Sequence, residues 1–310
     1  MTHRVVALAL ALATAVGLAG CGAGAGDAPK TVKLTVTDGF GQEPMLERTG
    51  PEVRGGDTVM RLLQRNAKVT TRYGGGFVQS INEIEGGRSG ARPVDWFFYV
   101  NGSLSEKGAS SVKVNPGDRI WWDRHDWGAA MDPPAVVGSY PEPFVNGFGG
   151  ERIPTRLECD ESAGAACDAV QDELLRRGLT IGKSRPGTEG GGESLRVIVG
   201  LWAPIREDRA LLDLEKGPKA SGVYARVAED GRSITPLDAQ GRAAGTLGAG
   251  TGLVAATRWR DESPTWVVTG TDRAGLDAAA RSFDERSLKN RFALAIRDDR
   301  GIDLPVRGGR

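Results

Sequence analysis

Hydrophobic and polar residues alternate in short runs over the first third of the chain, and this pattern predicts strands. In the first run Val32, Leu34 and Val36 lie on one face, as expected of a half-buried strand. The last apolar residue of another run is followed by Asn101-Gly102, a pair typical of hairpin turns because both residues tolerate positive φ. The predicted strands cover residues 30–37, 77–84, 96–100 and 119–122.

One helix is predicted among these strands. Val59, Leu62 and Leu63 recur at helical spacing over residues 57–65 and would form a stripe that faces the core. Asp57 is the predicted N-cap, since its carboxylate can accept from the first free amides of the helix. One helix packed on several strands predicts a β-rich α+β domain over residues 30–128.

From residue 152 onward, predicted strands alternate with predicted helices. Two helices stand out, over residues 167–177 and 273–283, the first ended by Gly178 and the second capped by Thr271 or Asp272. The fold class predicted for the whole chain is therefore α+β, with the β-rich domain followed by a second α/β layer domain of unknown role over residues 152–310. The strands between the helices are predicted at residues 153–157, 195–202, 222–227, 251–259 and 265–269. Residues 129–151 are rich in Pro and Gly and are interpreted as a linker.

Composition narrows the possible partners. The 310 residues include 40 Lys+Arg and 40 Asp+Glu, which give a formal net charge of zero. A neutral chain has no field that gathers polyanions, so no nucleic-acid partner is expected. Hydrophobic residues at 39% and charged residues at 26% are typical of a folded globular protein.

The first twenty residues have the pattern of a secretory signal peptide. One arginine precedes an uncharged apolar run over residues 5–18, which is too short to span a bilayer. The following Leu18-Ala19-Gly20-Cys21 resembles a bacterial lipobox, in which the cysteine receives lipid after cleavage. We therefore predict a signal peptide over 1–20, a lipidated Cys21 with a flexible tether over 21–29, and an extracytoplasmic chain anchored to the cell membrane. The alternative is an ordinary signal peptidase site with a bystander cysteine.

The remaining cysteines, Cys159 and Cys167, are an even pair in a compartment where disulfides persist. Their spacing, just before a predicted helix, favours a structural disulfide that closes a loop. No histidine lies near them, so neither a zinc site nor any other metal site is predicted.

Four ordered blocks in the first domain carry a family resemblance. They are Gly56-Asp57-Thr58-Val59 with Leu62-Leu63, Gly76-Phe77-Val78 with Ser80-Ile81-Asn82, Trp96-Phe97-Phe98-Tyr99-Val100-Asn101-Gly102, and Gly117-Asp118-Arg119-Ile120-Trp121-Trp122. Together they resemble the transcobalamin C-terminal-like domain family over roughly residues 30–128. That domain closes over cobalamin in the animal carriers and recurs in bacterial surface proteins. The helical α-barrel domain that completes the cobalamin site in the carriers has no counterpart here, so the resemblance implies the fold first and the ligand second.

A cluster of aromatic and charged residues supplies the candidate ligand site. Indole rings can stack on a flat ligand while Arg124 and His125 orient its polar edges. The alternative is that the tryptophans fill the core and the charges are solvated ion pairs. The candidate ligand-binding residues are Trp96, Phe98, Trp121, Trp122, Arg124, His125 and Trp127.

These features together predict a lipid-anchored binding protein that captures a small ligand outside the cytoplasm. A corrinoid such as cobalamin is the first candidate, as transported ligand and not as a required cofactor, with delivery to a membrane importer. The site is expected in the aromatic segment or in the cleft between the domains. The alternative is a surface module that binds protein or glycan. No catalytic motif is found; an envelope hydrolase using acidic residues, of which Asp132 and Glu142 are the most accessible candidates, ranks last.

Overall fold

The computed structural model describes residues 30–188 and 193–308, so Cys21 and the predicted signal and tether lie outside the described residues. None of the helices in these two ranges is long and apolar enough to cross a bilayer. The strands are β1 (Lys33–Asp38), β2 (Glu43–Thr49), β3 (Val69–Arg72), β4 (Phe77–Ile81), β5 (Ile84–Glu85), β6 (Gly87–Ser89), β7 (Arg92–Val100), β8 (Ser103–Leu104), β9 (Arg119–Asp126), β10 (Thr155–Cys159), β11 (Lys183–Ser184), β12 (Leu195–Val199), β13 (Ala225–Val227), β14 (Ile234–Pro236), β15 (Gly252–Thr257), β16 (Thr265–Gly270), β17 (Ala293–Arg297) and β18 (Arg300–Leu304). The helices are α1 (Val59–Asn66), α2 (Gly164–Arg176), α3 (Trp202–Ile205), α4 (Pro218–Ser221), α5 (Arg273–Arg281) and α6 (Glu285–Leu288).

The first sheet has six strands in the order β2-β1-β9-β7-β6, with β8 paired to β7. Only β1 and β9 run parallel, and the other pairs are antiparallel. The predicted hairpin is confirmed, because Asn101 and Gly102 have φ of 52° and 81° and join β7 to β8. A separate antiparallel sheet, β3-β4-β5, lies beside it.

The predicted helix packs on the outer face of the first sheet, where Val59, Leu62 and Leu63 are buried as expected. Its N-cap is Thr58, whose hydroxyl accepts from the Arg61 amide, and not the predicted Asp57. Asp57 instead accepts from the Arg54 amide and pairs with a guanidinium at the end of the same helix. The Asp57 carboxylate is therefore bound by the Arg54 amide and the Arg65 guanidinium, and it does not cap α1.

One predicted strand is broken in two. Residues 77–84 contain a turn at Asn82 and Glu83, both with positive φ, which separates β4 from β5. Asparagine tolerates this conformation because its short polar side chain can hydrogen-bond locally, and here its carboxamide oxygen accepts from the Lys68 amide.

The second sheet has seven strands in the order β11-β10-β12-β16-β15-β17-β18. The half from β11 to β16 is parallel and the half from β16 to β18 is antiparallel. Helices α2 and α5 cover one face, and α5 is capped by Asp272, which accepts from the Gly275 amide at 2.9 Å. Because both faces are covered, every residue of β15 and β16 is buried.

The two sheets face each other across an apolar contact layer that we call the seam. The first half of the molecule, residues 30–128, contributes Phe40, Tyr99 and Trp121 to the seam. The second half, from residue 152 onward, contributes Tyr224 and Phe292. The layers thus run from α1 through the first sheet, the seam and the second sheet to α2 and α5. The predicted mixed α+β class with a β-rich N-terminal region is confirmed.

The Pro/Gly-rich segment 129–151 packs into this arrangement. Val137, Tyr140 and Phe144 are buried. The amide of Val136 donates to the carbonyl of Gly102, and the amide of Val137 donates to the carbonyl of Phe292. The segment is therefore fixed to both halves of the molecule.

Cys159 and Cys167 form the predicted disulfide, with Cα atoms 6.0 Å apart. The bridge joins the end of β10 to the first turn of α2 and fixes the helix against the second sheet.

Candidate ligand-binding site

Strand β9 carries most of the predicted ligand residues, and it is longer than the sequence predicted. It continues through His125 to Asp126, whereas the predicted strand ends at Trp122. The hydrophobic pattern did not predict the full length of β9, because both faces of this strand are buried and apolar and polar residues therefore do not alternate along it.

Strand geometry divides the candidate residues between two faces of the first sheet. Trp96, Phe98 and Trp122 point to the outer face and pack under α1, and the rings of Phe98 and Trp122 stack at 4.8 Å. Trp121 and His125 point to the seam. Since successive residues of a strand face opposite sides, the structure does not bring these side chains to one ligand platform. All five are less than 9% exposed.

The remaining two candidates lie nearer solvent and have partners. Arg124 forms a two-point ion pair with Asp38, at 2.6 and 3.1 Å, and also donates to the carbonyl of Glu85. The indole Nε1 of Trp127 donates to Asp95 at 3.0 Å. Both side chains therefore tie strands of the first sheet together.

On the seam side of β9, His125 Nδ1 lies 2.8 Å from Asp123 Oδ1. The Asp123 carboxylate also accepts from the Thr37 hydroxyl and from the amides of Phe40 and Gly41. These donors show that the carboxylate acts only as an acceptor, so the shared proton is assigned to Nδ1 of the imidazole. In neutral His125 this leaves Nε2 as a lone-pair acceptor.

Aromatic rings enclose the His125 imidazole. Phe40 and Phe97 stack on its two faces with centroids at 4.7 and 4.4 Å, and Phe292 meets its edge at 5.2 Å. Within the described chain Nε2 has no hydrogen-bond partner, nor do the nearby hydroxyls of Tyr99 and Tyr224. Burial raises the pKa of both tyrosines, with Asp123 adding to the effect, so both hydroxyls stay protonated.

A more accessible candidate is a groove where the β7-β8 hairpin meets the second half, which we call the junction groove. Its volume is about 410 Å³, within the usual range for small-molecule sites. Four half-buried apolar side chains form its walls, together with short polar and charged residues. The lining residues are Val100, Ser103, Leu104, Ser105, Glu106, Lys107, Val112, Phe148, Gly149, Arg258 and Asp261.

Arg258 is the most informative polar group of the junction groove. It follows β15 and is 17% exposed, and one of its Nη atoms donates to Glu106 at 2.7 Å. Its Nε is buried and has no partner among the described residues. The accessible part of the guanidinium lies in the groove wall and can donate to an acceptor atom on a bound molecule.

Asn101 holds the groove in shape. Its side-chain amide donates to Asp118 at 2.9 Å and to the carbonyl of Gly147 at 2.7 Å, while its oxygen accepts from the Arg119 amide at 2.8 Å. These bonds tie the hairpin to the start of β9 and to the loop that presents Phe148. The sequence predicted the turn at Asn101 but gave no signal for these distant partners.

A larger cleft, of about 780 Å³, is lined by charged and small polar residues and lies at the amino edge of the parallel strands β10 and β12. In open α/β sheets ligands bind at the opposite, carboxyl edge. Its wall carries Arg196, which is already paired with Glu158 and Asp208. The junction groove, with apolar walls and the part-exposed Arg258 guanidinium, is therefore the better ligand site.

The two acidic candidates for hydrolysis differ in exposure. Asp132 is exposed, but Glu142 is only 2% exposed and accepts from the amide and side chain of Asn146. Burial raises the pKa of Glu142. Across residues 30–188 and 193–308, no three His, Cys, Asp or Glu side chains come together as metal ligands would.

Three comparisons with known proteins bear on the first domain. Residues 56–126, from the turn before α1 to the end of β9, match the profile of DUF4430, a domain of unknown function. No curated protein matches the sequence. A solved chain from Ruminococcus gnavus ATCC 29149, described as a "putative metal binding protein", is 15% identical, and the alignment covers 31% of this chain and 97% of that one with a TM-score of 0.25. At that TM-score the likeness carries no argument, and the transcobalamin resemblance stays a prediction.

Proposed function

We propose that this chain is a lipid-anchored extracytoplasmic binding protein that captures a small molecule in the junction groove. The observation that carries the proposal is the groove itself, about 410 Å³ between apolar walls with the part-exposed Arg258 guanidinium in its lining. A mostly apolar concavity with a few placed polar groups is the usual form of a small-molecule site.

The groove favours a ligand with an apolar body and an acceptor oxygen. Leu104, Val112 and Phe148 would remove apolar ligand surface from water. The Arg258 guanidinium would donate to a carboxylate or amide oxygen at the ligand edge. Corrinoids and haem combine a flat apolar ring with such groups, and the groove would hold one edge of the ring. A corrinoid is the first candidate because of the resemblance of the first domain to the transcobalamin family.

Scattered surface apolar residues make the alternative of a protein-docking module less attractive. In the described chain the large exposed apolar side chains lie on separate elements and loops, whereas a docking surface usually shows a contiguous patch. They are Val53, Tyr73, Met131, Leu175 and Leu212.

Calorimetric titration of the full chain with cobalamin, cobinamide and haem tests the proposal. We expect at least one to bind, and Arg258→Met to weaken that binding by about tenfold, the effect of losing one charge-assisted hydrogen bond. The matched control is Arg281→Met, which breaks a pair with Asp299 on the surface of α5 and is expected to bind like the unmodified chain.

A second variant keeps the test independent of Arg258. Ser105→Trp places a large ring in the junction groove and is expected to abolish binding while circular dichroism shows a folded chain. Flat traces for all three compounds with folded protein would remove this ligand class. Binding that both variants leave unchanged would remove the groove as its site.

The anchor has its own test, because it rests on the sequence around Cys21 alone. In a bacterial host, an alkyne-tagged fatty acid is expected to label the chain, and Cys21→Ser is expected to abolish the label. The variant should also leave the membrane fraction. A labelled Cys21→Ser chain, or an unlabelled unmodified chain, would contradict lipidation.

A further inference from the structure

A smaller cavity lies between the amino ends of β1 and β9 and the second half of the chain, and it is lined by cations. It has a volume of about 70 Å³, several times the 10–15 Å³ that one water molecule requires. Lys33, Arg119 and Lys289 contribute its positive charges. We call it the seam cavity. The other residues of its wall are Thr35, Glu47, Ile120, Trp121, Gly138, Ser139, Glu285 and Asn290.

The register of the first sheet brings two of these cations together. Strands β1 and β9 run parallel with Lys33 opposite Arg119. Alternation along both strands directs these side chains toward the second half, on the side of Trp121. There they meet Glu285 at the start of α6, which accepts from Lys33 at 3.1 Å and from Arg119 at 2.7 Å.

Positive charge exceeds negative charge around the cavity. Glu285 also accepts from Arg177 at 3.2 Å, although Arg177 has a nearer carboxylate partner in Glu173 at 2.8 Å. Lys289 has Glu47 as its partner at 2.8 Å. The wall itself holds three cations and two carboxylates, and both carboxylates are already occupied.

The geometry points to binding of a small tetrahedral oxyanion, of the phosphate or sulfate class, in the seam cavity. Its charge would balance the excess of cations, and its oxygens would accept from Lys33, Arg119 and Lys289. Thr35 and Ser139 add hydroxyl donors to the wall, and Ser139 is only 3% exposed. This inference does not depend on the junction groove.

Calorimetric titration of the full chain with sodium phosphate and sodium sulfate, at ionic strength fixed with sodium chloride, tests it. Lys289→Gln is expected to weaken binding by about tenfold. Glu47→Gln removes the carboxylate that competes for Lys289 and is expected to tighten binding by about threefold. Both side chains are about half exposed, so neither change is expected to prevent folding.

Lys216→Gln is the matched control, since Lys216 pairs with Asp213 at 2.7 Å on an exposed surface away from the seam cavity. It is expected to leave binding unchanged. Lack of phosphate and sulfate binding by the folded chain would overturn the inference. Phosphate or sulfate binding whose affinity is changed by neither Lys289→Gln nor Glu47→Gln would also overturn the inference.

A phosphate group can also come from a lipid. The Cys21→Ser chain, which lacks the proposed anchor, is therefore mixed with vesicles of phosphatidylglycerol or of phosphatidylcholine and sedimented. We expect neither to retain the chain, because the cavity is sized for a free ion. Retention by phosphatidylglycerol that Lys289→Gln abolishes, without binding of inorganic phosphate, would overturn the free-ion site in favour of a headgroup.

Discussion

His125 and Asp123 form a hydrogen-bonded pair, 2.8 Å between Nδ1 and Oδ1, with both side chains sealed from solvent in the seam. The carboxylate fixes the imidazole and also binds the turn that follows β1, through the amides of Phe40 and Gly41. One acidic side chain thus ties strand β9 to the turn after β1 where the two halves meet.

Asp123→Ala is expected to lower the free energy of unfolding by about 3–5 kcal/mol, because it leaves several buried donors without an acceptor. Urea denaturation followed by tryptophan fluorescence measures the change. The control is Asp299→Asn, which removes a carboxylate charge that is 86% exposed and keeps a residue that tolerates the φ of 55° at this position, so it is expected to cost less than about 0.5 kcal/mol. A loss below about 1 kcal/mol for Asp123→Ala would mean that these donors find other partners.

Two glycines of the turn after β1 offer a direct test of the packing at the seam. Both Gly39 and Gly41 have positive φ, of 68° and 82°. A Cβ on Gly41 would lie 2.0 Å from the carbonyl oxygen of Asn290, whereas a Cβ on Gly39 would meet nothing within 4 Å. Gly39→Ala is therefore expected to cost about 1–2 kcal/mol for the left-handed backbone alone.

Gly41→Ala is expected to cost at least about 2 kcal/mol more, since overpacking adds to the same backbone penalty. Thermal denaturation of the two variants under the same conditions measures this difference in stability. Equal losses for the two variants would contradict the close approach of the Gly41 turn to Asn290.

Asn101→Ala removes three hydrogen bonds and is expected to cost about 2–4 kcal/mol because their buried partners lose bonds that water does not replace. Alanine at the φ of 52° is expected to add about 1–2 kcal/mol of backbone strain. The loop that carries Phe148 loses its tie to the hairpin, so ligand binding in the junction groove is expected to weaken as well. Asn66→Ala is the control, since that side chain makes a single bond, to the carbonyl of Leu62. If the two variants have the same stability, Asn101 is not the tie that the structure indicates.

Glu285 makes the seam sensitive to acid. Burial acts to raise its pKa, but Arg119 and Lys33 outweigh burial and lower the pKa from 4.5 to about 2. A carboxyl group with a lowered folded pKa stabilises the fold above its unfolded pKa and loses that contribution as the pH falls toward the folded value. The contribution of Glu285 is therefore complete above about pH 4.5 and lost toward pH 2.

Because a third of the Glu285 side chain is exposed, water screens the interaction and we expect about 1–2 kcal/mol. Glu285→Gln should lower stability at pH 7 by this amount and match the unmodified chain near pH 2. Urea titrations across this range measure it, with Glu161→Gln, a surface carboxylate 77% exposed, as control. An equal difference at both pH values would show that the loss is not electrostatic.

Local signals in the sequence predicted the local structure well. The buried stripe of α1, the hairpin at Asn101-Gly102, the disulfide of Cys159 and Cys167, and the cap of α5 at Asp272 each depend on residues close in the chain. The sequence was sufficient to predict these features, because both partners of each interaction lie close together in the chain.

Burial that depends on residues far apart in the sequence could not be predicted from local patterns. Asp123 and His125 are polar residues beyond the end of the predicted strand, and a turn more than eighty residues earlier supplies donors to Asp123 that allow their burial. Strand alternation directs Trp121 and Trp122 to opposite faces, but nothing local shows that both faces are covered, so a ligand surface was predicted. The junction groove likewise joins Leu104, Phe148 and Arg258, which lie too far apart in sequence for spacing to connect them.

The opposed directions of Trp121 and Trp122 on β9 have a practical consequence for dissecting this molecule. A fragment cut near residue 128 would keep the indole under α1 covered but leave Trp121, Tyr99 and Phe40 bare to water. Such a piece would cluster with its own copies, as bare aromatic surfaces do. The two halves should therefore be produced, purified and assayed together.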